Sequence, residues 1–318
     1  MELHNLLRLL ADGHFHSGSE LGRDLGVSRT SVWKALGSLS DLGLTVKSIK
    51  GKGYQIVGGL DLLDKDVILS ALTEGACSKL DLTLLQSVDS TNKWLMEDDR
   101  TSDAIYKACL SELQFSGKGR RGSEWVSPFA KNIYLSVSFD LLGGVGVLNG
   151  LSLALGVGVA RALRLLGVSG AKLKWPNDVW IDGKKISGVL VELKGEATSG
   201  WSVTAGIGLN VGMSEAEGKS IDQSWANLSS FSAAKRNIVA STLLESLVEV
   251  IDTFRNQGFA PFLSEWGGYD ALKGRSIKCL SGGLEGVACG VDEQGLLKVE
   301  TADGVMLVSA GDVRVRPI

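Results

Sequence analysis

Cysteine and histidine are scarce in this chain of 318 residues. Its four cysteines (Cys77, Cys109, Cys279 and Cys289) form no C-x-x-C pair and no repeating frame, which excludes a disulfide scaffold. All three histidines lie at or before His16, so a zinc site is not expected. Charged residues interrupt the N-terminus, which shows no secretion signal. We therefore predict free thiols in a cytoplasmic protein.

A net positive charge is also absent, because 33 Lys and Arg face 36 Asp and Glu, a formal charge of -3. This balance excludes a positive field over the whole molecule. Residues 1–60 nevertheless carry +2, with seven basic and five acidic side chains, and the remainder carries -5. A locally basic end on an acidic chain indicates one module with an anionic partner.

Only one hydrophobic run is long enough to cross a membrane, the uncharged residues between Asp140 and Arg161. The run contains six glycines and the polar Asn149, and its pattern continues beyond Arg161. We therefore expect a buried helix from about Leu148 to Leu166 and no membrane partner. The hydrophobic content of 44% excludes a disordered chain, and the length suggests two or three domains.

Residues 1–60 have the pattern of a winged helix-turn-helix domain. Leucines at helical spacing open the segment, Ser17 or Ser19 can cap a second helix, and Ser28 can cap a third that stops at Gly43. Two short strands follow around a Lys-Gly-Lys-Gly turn. Such a third helix enters the major groove and the wing approaches phosphates. The alternative is a small helical domain with a solvated charged face. The predicted DNA-binding residues are Ser28, Arg29, Thr30, Ser31, Lys34, Lys50 and Lys52.

Two further units are predicted after the Gly58-Gly59 boundary. Residues 66–270 mix helices and strands separated by glycine-rich connections, as expected where loops carry chemistry. Residues 271–318 contain short apolar runs separated by turns, which predicts a small all-β barrel. The sequence shows no repeat.

The sharpest local motif is Gly117-Lys118-Gly119-Arg120-Arg121-Gly122, followed by Trp125. Glycines free the backbone to point N–H groups at a ligand, and cations lie between them, which suits a phosphate or an acyl phosphate. The spacing is neither a P-loop nor a dinucleotide fingerprint. The alternative is a flexible basic surface loop.

Three weaker motifs accompany this loop. Residues 174–178 (Lys-Trp-Pro-Asn-Asp) and 182–188 predict a strand, turn and strand that place Asp178 near lysines, although a charged hairpin tip would have the same sequence. Gly206 and Gly208 lie inside a predicted strand that ends at Asn210, which indicates close approach by a ligand or by another backbone. Residues 89–92 (Asp-Ser-Thr-Asn) precede a helix, and on their own they favour an N-cap.

Taken together and in this order, these motifs resemble biotin–protein ligases, and the N-terminal domain resembles the subgroup that is also the biotin operon repressor. The resemblance covers essentially the whole chain. It implies a central mixed sheet like that of class II aminoacyl-tRNA synthetases and an SH3-like C-terminal barrel.

The same resemblance implies the substrates and partners. Biotin and ATP form biotinyl-5'-AMP, with Mg²⁺ and protein cations offsetting the repulsion between the two anions. The biotin is then transferred to a lysine of the biotin carboxyl carrier protein of acetyl-CoA carboxylase. The repressor subgroup also implies a ligand-promoted homodimer that binds operator DNA, with the carrier competing for the dimer surface.

Site residues are implied motif by motif. Ser90, Thr91 and Gln114 would hydrogen-bond biotin with Asn92 nearby, and the loop of Gly117, Lys118, Gly119, Arg120, Arg121 and Gly122 would fold over biotin and its adenylate. Lys185 would contact the carboxylate and the α-phosphate, and Gly188 would offer backbone contacts. Gly206, Gly208 and Asn210 would line the nucleotide side. Asp178 would bind metal or accept a proton, Trp125 would pack on the closed loop, and Trp225 would cover adenine, unless both are core aromatics. The metal ligands are not assigned.

One position departs from the common pattern, since Lys118 stands where many relatives have arginine. The two side chains are not equivalent donors, so we expect weaker retention of the adenylate. Two other functions remain open: a ligase whose N-terminal domain is only structural, and a sensor that has lost catalysis. Intact Lys185, Asn177 and Asp178 disfavour the sensor. Lipoate ligases share the fold but differ in these motifs.

Overall fold

The computed structural model describes residues 3–196, 200–279, 283–309 and 315–317, with strands arranged in three sheets. The N-terminal unit packs three helices against a two-stranded wing. Ser17 caps the second helix in a capping box with Glu20, and Ser28 caps the third by accepting a bond from the Ser31 N–H. The elements are α1 (Leu3–Leu10), α2 (Gly18–Asp24), α3 (Arg29–Ser38), β1 (Val46–Ile49) and β2 (Gly53–Ile56).

The predicted third helix is shorter than expected as an α-helix. It ends at Ser38 and continues as a 3-10 turn to Leu42, and Gly43 closes it with φ 74°. A left-handed C-cap of this kind is the usual role of glycine after a helix. The predicted core residues Val32, Leu36 and Leu39 are buried, so the apolar periodicity identified the correct face.

The central unit is a seven-stranded mixed sheet in the order β3-β4-β5-β9-β8-β7-β6, in which only β3 and β4 are parallel. Helices α7 and α8 pack together and cover the sheet. The elements are α4 (Lys65–Ser70), α5 (Glu74–Cys77), β3 (Leu80–Leu85), α6 (Thr91–Glu97), β4 (Tyr106–Ser111), β5 (Ile133–Leu141), α7 (Leu151–Leu165), β6 (Ala171–Lys174), β7 (Asp178–Ile181), β8 (Lys184–Glu196), β9 (Gly200–Leu209), α8 (Arg236–Gln257) and α9 (Leu263–Tyr269).

The long apolar run forms α7. The stretch Gly146–Leu165 has the length and composition of a membrane span, but most of it is buried. It packs against α8, α9 and strands β6 to β8, and this packing accounts for its apolar character. The prediction of a buried helix here is confirmed, with bounds a few residues shorter.

The C-terminal unit is a five-stranded antiparallel sheet in the order β13-β12-β11-β10-β14. One of its contacts with the central unit is at Gly295, whose carbonyl accepts a 3.0 Å hydrogen bond from Trp175 Nε1. This bond braces the turn between β6 and β7. All four cysteines are free. The strands are β10 (Ser276–Cys279), β11 (Glu285–Val291), β12 (Leu297–Thr301), β13 (Gly304–Val308) and β14 (Val315–Pro317).

Candidate functional site

A cavity of about 710 Å³ opens at the ends of β7, β8 and β9, beneath the basic loop and beside residues 220–225. Five cationic side chains and three carboxylates line it, which suits an anionic ligand. The predicted residues that it brings together are Ser90, Thr91, Asn92, Gln114, Lys118, Gly119, Arg120, Arg121, Trp125, Asp178, Lys185, Gly188, Gly206, Gly208, Asn210 and Trp225.

Two predicted residues, Gly117 and Gly122, shape the basic loop instead of lining the cavity. The Gly117 carbonyl accepts a 2.8 Å bond from the Trp125 N–H, and a Cβ on Gly117 would lie 2.5 Å from the Trp125 carbonyl. Gly122 has φ 72° at the end of the turn. Both glycines therefore allow a tight backbone path that other residues would strain.

The basic loop folds back on itself as a closed turn. The Gly119 N–H donates a 2.7 Å bond to the Ser123 carbonyl, and a 3-10 turn spans Arg120–Gly122. Arg120 Nη1 lies 3.3 Å from Asn177 Oδ1, which links the loop to the turn before β7. Burial, and secondarily the charge of Arg121, lowers the pKa of Arg120. The turn thus concentrates positive charge over one side of the cavity.

Lys185 lies in the cavity between the basic loop and the end that contains Thr91 and Gln114. Only 15% of its side chain is exposed. Its Nζ is 2.7 Å from Asp178 Oδ1 and 5.4 Å from the centre of the Trp125 ring. The carboxylate and the ring face hold the ammonium group in one place. A positioned, largely desolvated cation of this kind stabilises charge that develops on a bound ligand.

A β-bulge gives Lys185 this orientation. Strand β7 pairs Val179 with Ser187 and Trp180 with Lys185, so Ile186 is an extra residue in β8. Regular alternation would place Lys185 and Gly188 on opposite faces of the sheet. The bulge puts them on the same face, since a Cβ on Gly188 would lie 3.3 Å from Lys185 Nζ.

A hydrogen-bonded network forms the opposite end of the cavity. Gln114 Oε1 accepts a 2.9 Å bond from the Thr91 N–H, and Ser136 Oγ lies 2.7 Å from Thr91 Oγ1. Asn92 Nδ2 donates a 2.8 Å bond to Glu192. These bonds fix the amide of Asn92 and the hydroxyl of Thr91, so this end has preset donors and acceptors for a neutral polar ligand.

The N-cap predicted within residues 89–92 is confirmed in position but not in side-chain bonding. Ser90 stands at the N-cap position of α6, but its side chain makes no capping hydrogen bond and Asp89 binds Lys93 instead. The residue is 3% exposed and lines the cavity. Its buried hydroxyl is therefore available to the cavity and not to the helix terminus.

Glycines on β8 and β9 make a flat floor beneath Trp125. Gly188 pairs with Gly208, and a Cβ on Gly208 would lie 2.2 Å from Trp125 Cε2. Gly206 likewise leaves room for Asn92, because a Cβ at position 206 would lie 2.4 Å from Asn92 Oδ1. Both glycines allow a close approach, but the groups that approach are side chains of this chain and not the ligand or backbone that was predicted.

Several cavity residues were not predicted. Residues Ser220–Ser224 close one side of the cavity, and their backbone pairs with Lys185 through a 3.0 Å bond from the Lys185 N–H to the Ser224 carbonyl. Asn177 Nδ2 donates to the Val189 carbonyl at 2.9 Å. Ser136, Glu192 and Ser127 support the network from within strands and turns. Asn177 belongs to the motif at residues 174–178, whereas Ser136, Glu192 and residues 220–224 have no recognisable local motif.

The predicted DNA-binding residues lie around α3 and the wing. Arg29, Thr30 and Lys34 are exposed on one side of α3, and Lys50 and Lys52 are exposed on the turn between β1 and β2. Ser28 and Ser31 are joined by the N-cap bond and by a 2.9 Å contact between their hydroxyl oxygens. Cations therefore flank the helix on the wing side.

Comparison with known proteins places this geometry in a family. Residues 84–210 match the biotin/lipoate A/B protein ligase family and residues 2–55 match a helix-turn-helix (HTH) domain. The bifunctional ligase/repressor BirA of Salmonella typhimurium is 38% identical over 95% of this chain and 93% of its own length. The Escherichia coli protein of the same name is 37% identical over 95% and 92%.

A solved structure agrees with these relatives. The biotin protein ligase from Aquifex aeolicus in complex with biotin and ATP has 28% identity and a TM-score of 0.64, and covers 75% of this chain and 99% of its own. The sequence matches extend over the helix-turn-helix domain, the mixed sheet and the C-terminal sheet. The chain therefore belongs to the family of bifunctional biotin–protein ligases that also act as biotin operon repressors.

Proposed function

We propose that this chain forms biotinyl-5'-AMP from biotin and ATP, transfers biotin to a lysine of a biotin carboxyl carrier protein, and represses biotin synthesis genes. The observation that carries the proposal is the position of Lys185, which lies largely desolvated between a neutral hydrogen-bonding end and a cationic end of one cavity. This arrangement suits a ligand with a neutral polar ring and a carboxylate that must approach a phosphate.

In the first step, a carboxylate oxygen of biotin attacks the α-phosphorus of ATP. A carboxyl–phosphorus anhydride bond forms, and the bond from the α-phosphorus to the bridging oxygen breaks, so that pyrophosphate leaves with the electron pair. Both reactants are anions. Lys185, Arg120 and Arg121 offset their repulsion, and Asp178 holds the Lys185 ammonium group at 2.7 Å.

Mg²⁺ would enter this site mainly on the phosphates of ATP. Among the described residues, no group of three or more His, Cys, Asp or Glu side chains could hold a metal ion. A nucleotide-bound Mg²⁺ needs only one or two protein oxygens, and Asp178 with Asn177 in the cavity fits that requirement. When bound, the ion neutralises phosphate charge.

In the second step, the amine of the acceptor lysine attacks the carbonyl carbon of the anhydride. The new amide bond forms as the carbon–oxygen bond to the phosphate breaks, AMP leaves, and the nitrogen loses a proton. Asp178 is the carboxylate placed to accept that proton, since it lies beside Lys185 in the cavity. Lys185 stabilises the negative charge on the leaving phosphate.

The remaining site residues have binding roles in this proposal. Ser90, Thr91 and Gln114 hydrogen-bond the biotin ring system, and Asn92 is fixed beside them by Glu192. Gly188 presents its backbone to biotin, Asn210 and Trp225 take the nucleotide side, and the basic loop closes over the adenylate. Gly206 and Gly208 act by leaving room for Asn92 and Trp125.

Regulation completes the proposal. Adenylate binding promotes a homodimer in the cytoplasm, and the paired winged helices bind two operator half-sites. The domains are 1–60 for DNA binding, 66–270 for catalysis and 271–318 as an SH3-like barrel, which the five-stranded antiparallel sheet supports. Sedimentation with and without biotin and ATP tests the dimer, and an unchanged monomer contradicts it.

The deciding experiment incubates the purified protein with biotin, ATP, Mg²⁺ and an apo carrier domain, followed by mass measurement of the carrier. We expect one ATP-dependent biotin adduct per carrier. No adduct from a folded, biotin-binding protein would favour the sensor alternative. Preferential transfer of lipoate in a competition would assign the chain to lipoate ligases.

Gly208→Ala is expected to weaken biotin binding by about ten- to a hundredfold, since overpacking costs about 1–3 kcal/mol. The added methyl would lie 2.2 Å from Trp125 Cε2 and must displace a rigid ring over the cavity floor. Titration calorimetry with biotin measures the change. Gly212→Ala is the control, because its nearest contact would be an ordinary 3.7 Å. Equal affinities for both variants would contradict the proposed floor.

Lys118→Gly is expected to release the adenylate about tenfold faster, the cost of one hydrogen bond to a charged group. Lys118 lines the cavity on the basic loop, where it can contact the phosphate of the adenylate. Release of preformed adenylate is measured after dilution, with Lys273→Gly, at an exposed turn, as the control. Unchanged release kinetics would count against the retention role of Lys118.

A further inference from the structure

Helix α3 exposes one large aromatic side chain in the middle of its polar face. Trp33 is 64% exposed, whereas the seven other tryptophans of the chain are buried or half-buried. Its neighbours on the exposed side are Arg29, Thr30, Lys34 and Gly37, while Val32 and Leu36 face the core. Packing within this unit therefore does not account for Trp33.

The space beside Trp33 is open and bordered by the wing. A groove of about 460 Å³ runs between α3 and the wing, with Val46 and Tyr54 on the far side. A Cβ on Gly37 would meet nothing within 4 Å, so the helix surface next to the indole is unobstructed. An indole in such a position can reach a partner that docks on α3.

Charge around the indole identifies the kind of partner. Arg29 and Lys34 adjoin it on the helix, and Lys47, Lys50 and Lys52 are exposed on the wing. An apolar protein surface would have to desolvate these cations, whereas duplex DNA supplies phosphates for them. Within a major groove, the apolar feature of the base edges is the methyl group of thymine.

We propose that Trp33 contacts a thymine methyl group in the major groove and thereby determines operator specificity. This inference rests on the proposed repressor function and adds to it a base-reading residue and the base that it reads. Arg29 and Lys34 contact phosphates or base acceptors on either side of the indole. Each half-site then contains an A·T pair whose thymine faces the second turn of α3.

The test begins with selection from a random duplex library by the full chain in the presence of biotin, ATP and Mg²⁺. Each thymine of the selected site is then replaced by deoxyuridine, which removes only the methyl group. We expect the wild type to lose about tenfold in affinity at one thymine per half-site, the scale of one unfavourable base pair. Trp33→Ala should bind both duplexes equally at that position.

Matched variants separate the inference from general damage. Trp33→Phe keeps an apolar ring and should retain the preference for thymine, and Leu165→Ala, which removes another exposed apolar side chain, should change nothing. Ligase activity of Trp33→Ala should equal that of the wild type, because Trp33 is outside the catalytic cavity. Loss of thymine preference in Leu165→Ala as well would overturn the assignment to Trp33.

Two further outcomes overturn the proposal and can be told apart. If Trp33→Ala retains the full preference for thymine over deoxyuridine at every position, the indole contacts sugar, phosphate or another protein, and the inference alone fails. If the wild type enriches no sequence, DNA-binding repression fails and the inference fails with it.

Discussion

Lys185→Ala is expected to lower the rate of adenylate formation by about 10²–10³-fold while changing biotin affinity much less. Its ammonium group is largely desolvated and held by Asp178 at 2.7 Å, so it is in place before charge develops on the α-phosphate. The variant also leaves Asp178 beside the phosphates without its cation. Both effects raise the barrier to the first step, in which two anions meet.

Pyrophosphate release in single-turnover experiments measures this step without the carrier. Lys184→Ala is the matched control, since Lys184 is the preceding residue of β8 and is exposed. The double variant Lys185→Ala/Asp178→Asn removes the unpaired carboxylate and should recover part of the rate. A Lys185→Ala rate within threefold of the wild type would contradict the role of this residue.

The helices of the N-terminal domain could be predicted because their ends are encoded locally. Ser17 and Ser28 cap their helices and Gly43 adopts a left-handed conformation, as their positions in the sequence indicate. In the central unit, apolar periodicity also predicted the buried helix from about Leu148 to Leu166. The helix observed runs from Leu151 to Leu165, so its type was predictable and its bounds shifted by a few residues.

The site was less predictable where tertiary structure decides which face a residue occupies. Lys185 could be selected from its motif, but the bulge at Ile186 that turns it towards Gly188 has no local sequence signature. Ser90 shows the converse case. Its sequence favours an N-cap and Ser90 does take the N-cap position, but its side chain lines the cavity and makes no capping bond.

Residues that support the site from within the sheet could not be found from sequence. Ser136 is fully buried in an apolar strand and Glu192 lies on β8, so periodicity identifies them only as strand residues. Their role depends on Asn92, which is 100 positions from Glu192 in the chain. Polar networks between distant segments become visible only once the sheet is assembled.

A buried ion pair next to the linker that follows the wing is the clearest example of a polar network between distant segments. Arg236 at the start of α8 has 2% of its side chain exposed, and its Nη1 lies 2.7 Å from Glu112 Oε2. The same guanidinium donates to the carbonyls of Asp61 and Asn132, and Glu112 accepts from the Leu63 N–H. One charged group thus joins the linker after the wing to two neighbouring strands of the catalytic sheet.

Arg236→Met is expected to lower the free energy of unfolding of the catalytic unit by about 3–5 kcal/mol, because it leaves the Glu112 carboxylate buried without its cation. Chemical denaturation measures the loss, and Arg255→Met, an exposed position on the same helix, is the control.

Glu112→Gln added to Arg236→Met should restore much of the stability, since the oxygen of the neutral amide still accepts the Leu63 N–H. Because the Asp61 carbonyl loses its hydrogen bond from the Arg236 guanidinium, the linker of Arg236→Met should also be cleaved faster by protease than that of the control. Equal stability of Arg236→Met and Arg255→Met would show that the pair contributes no net stabilisation.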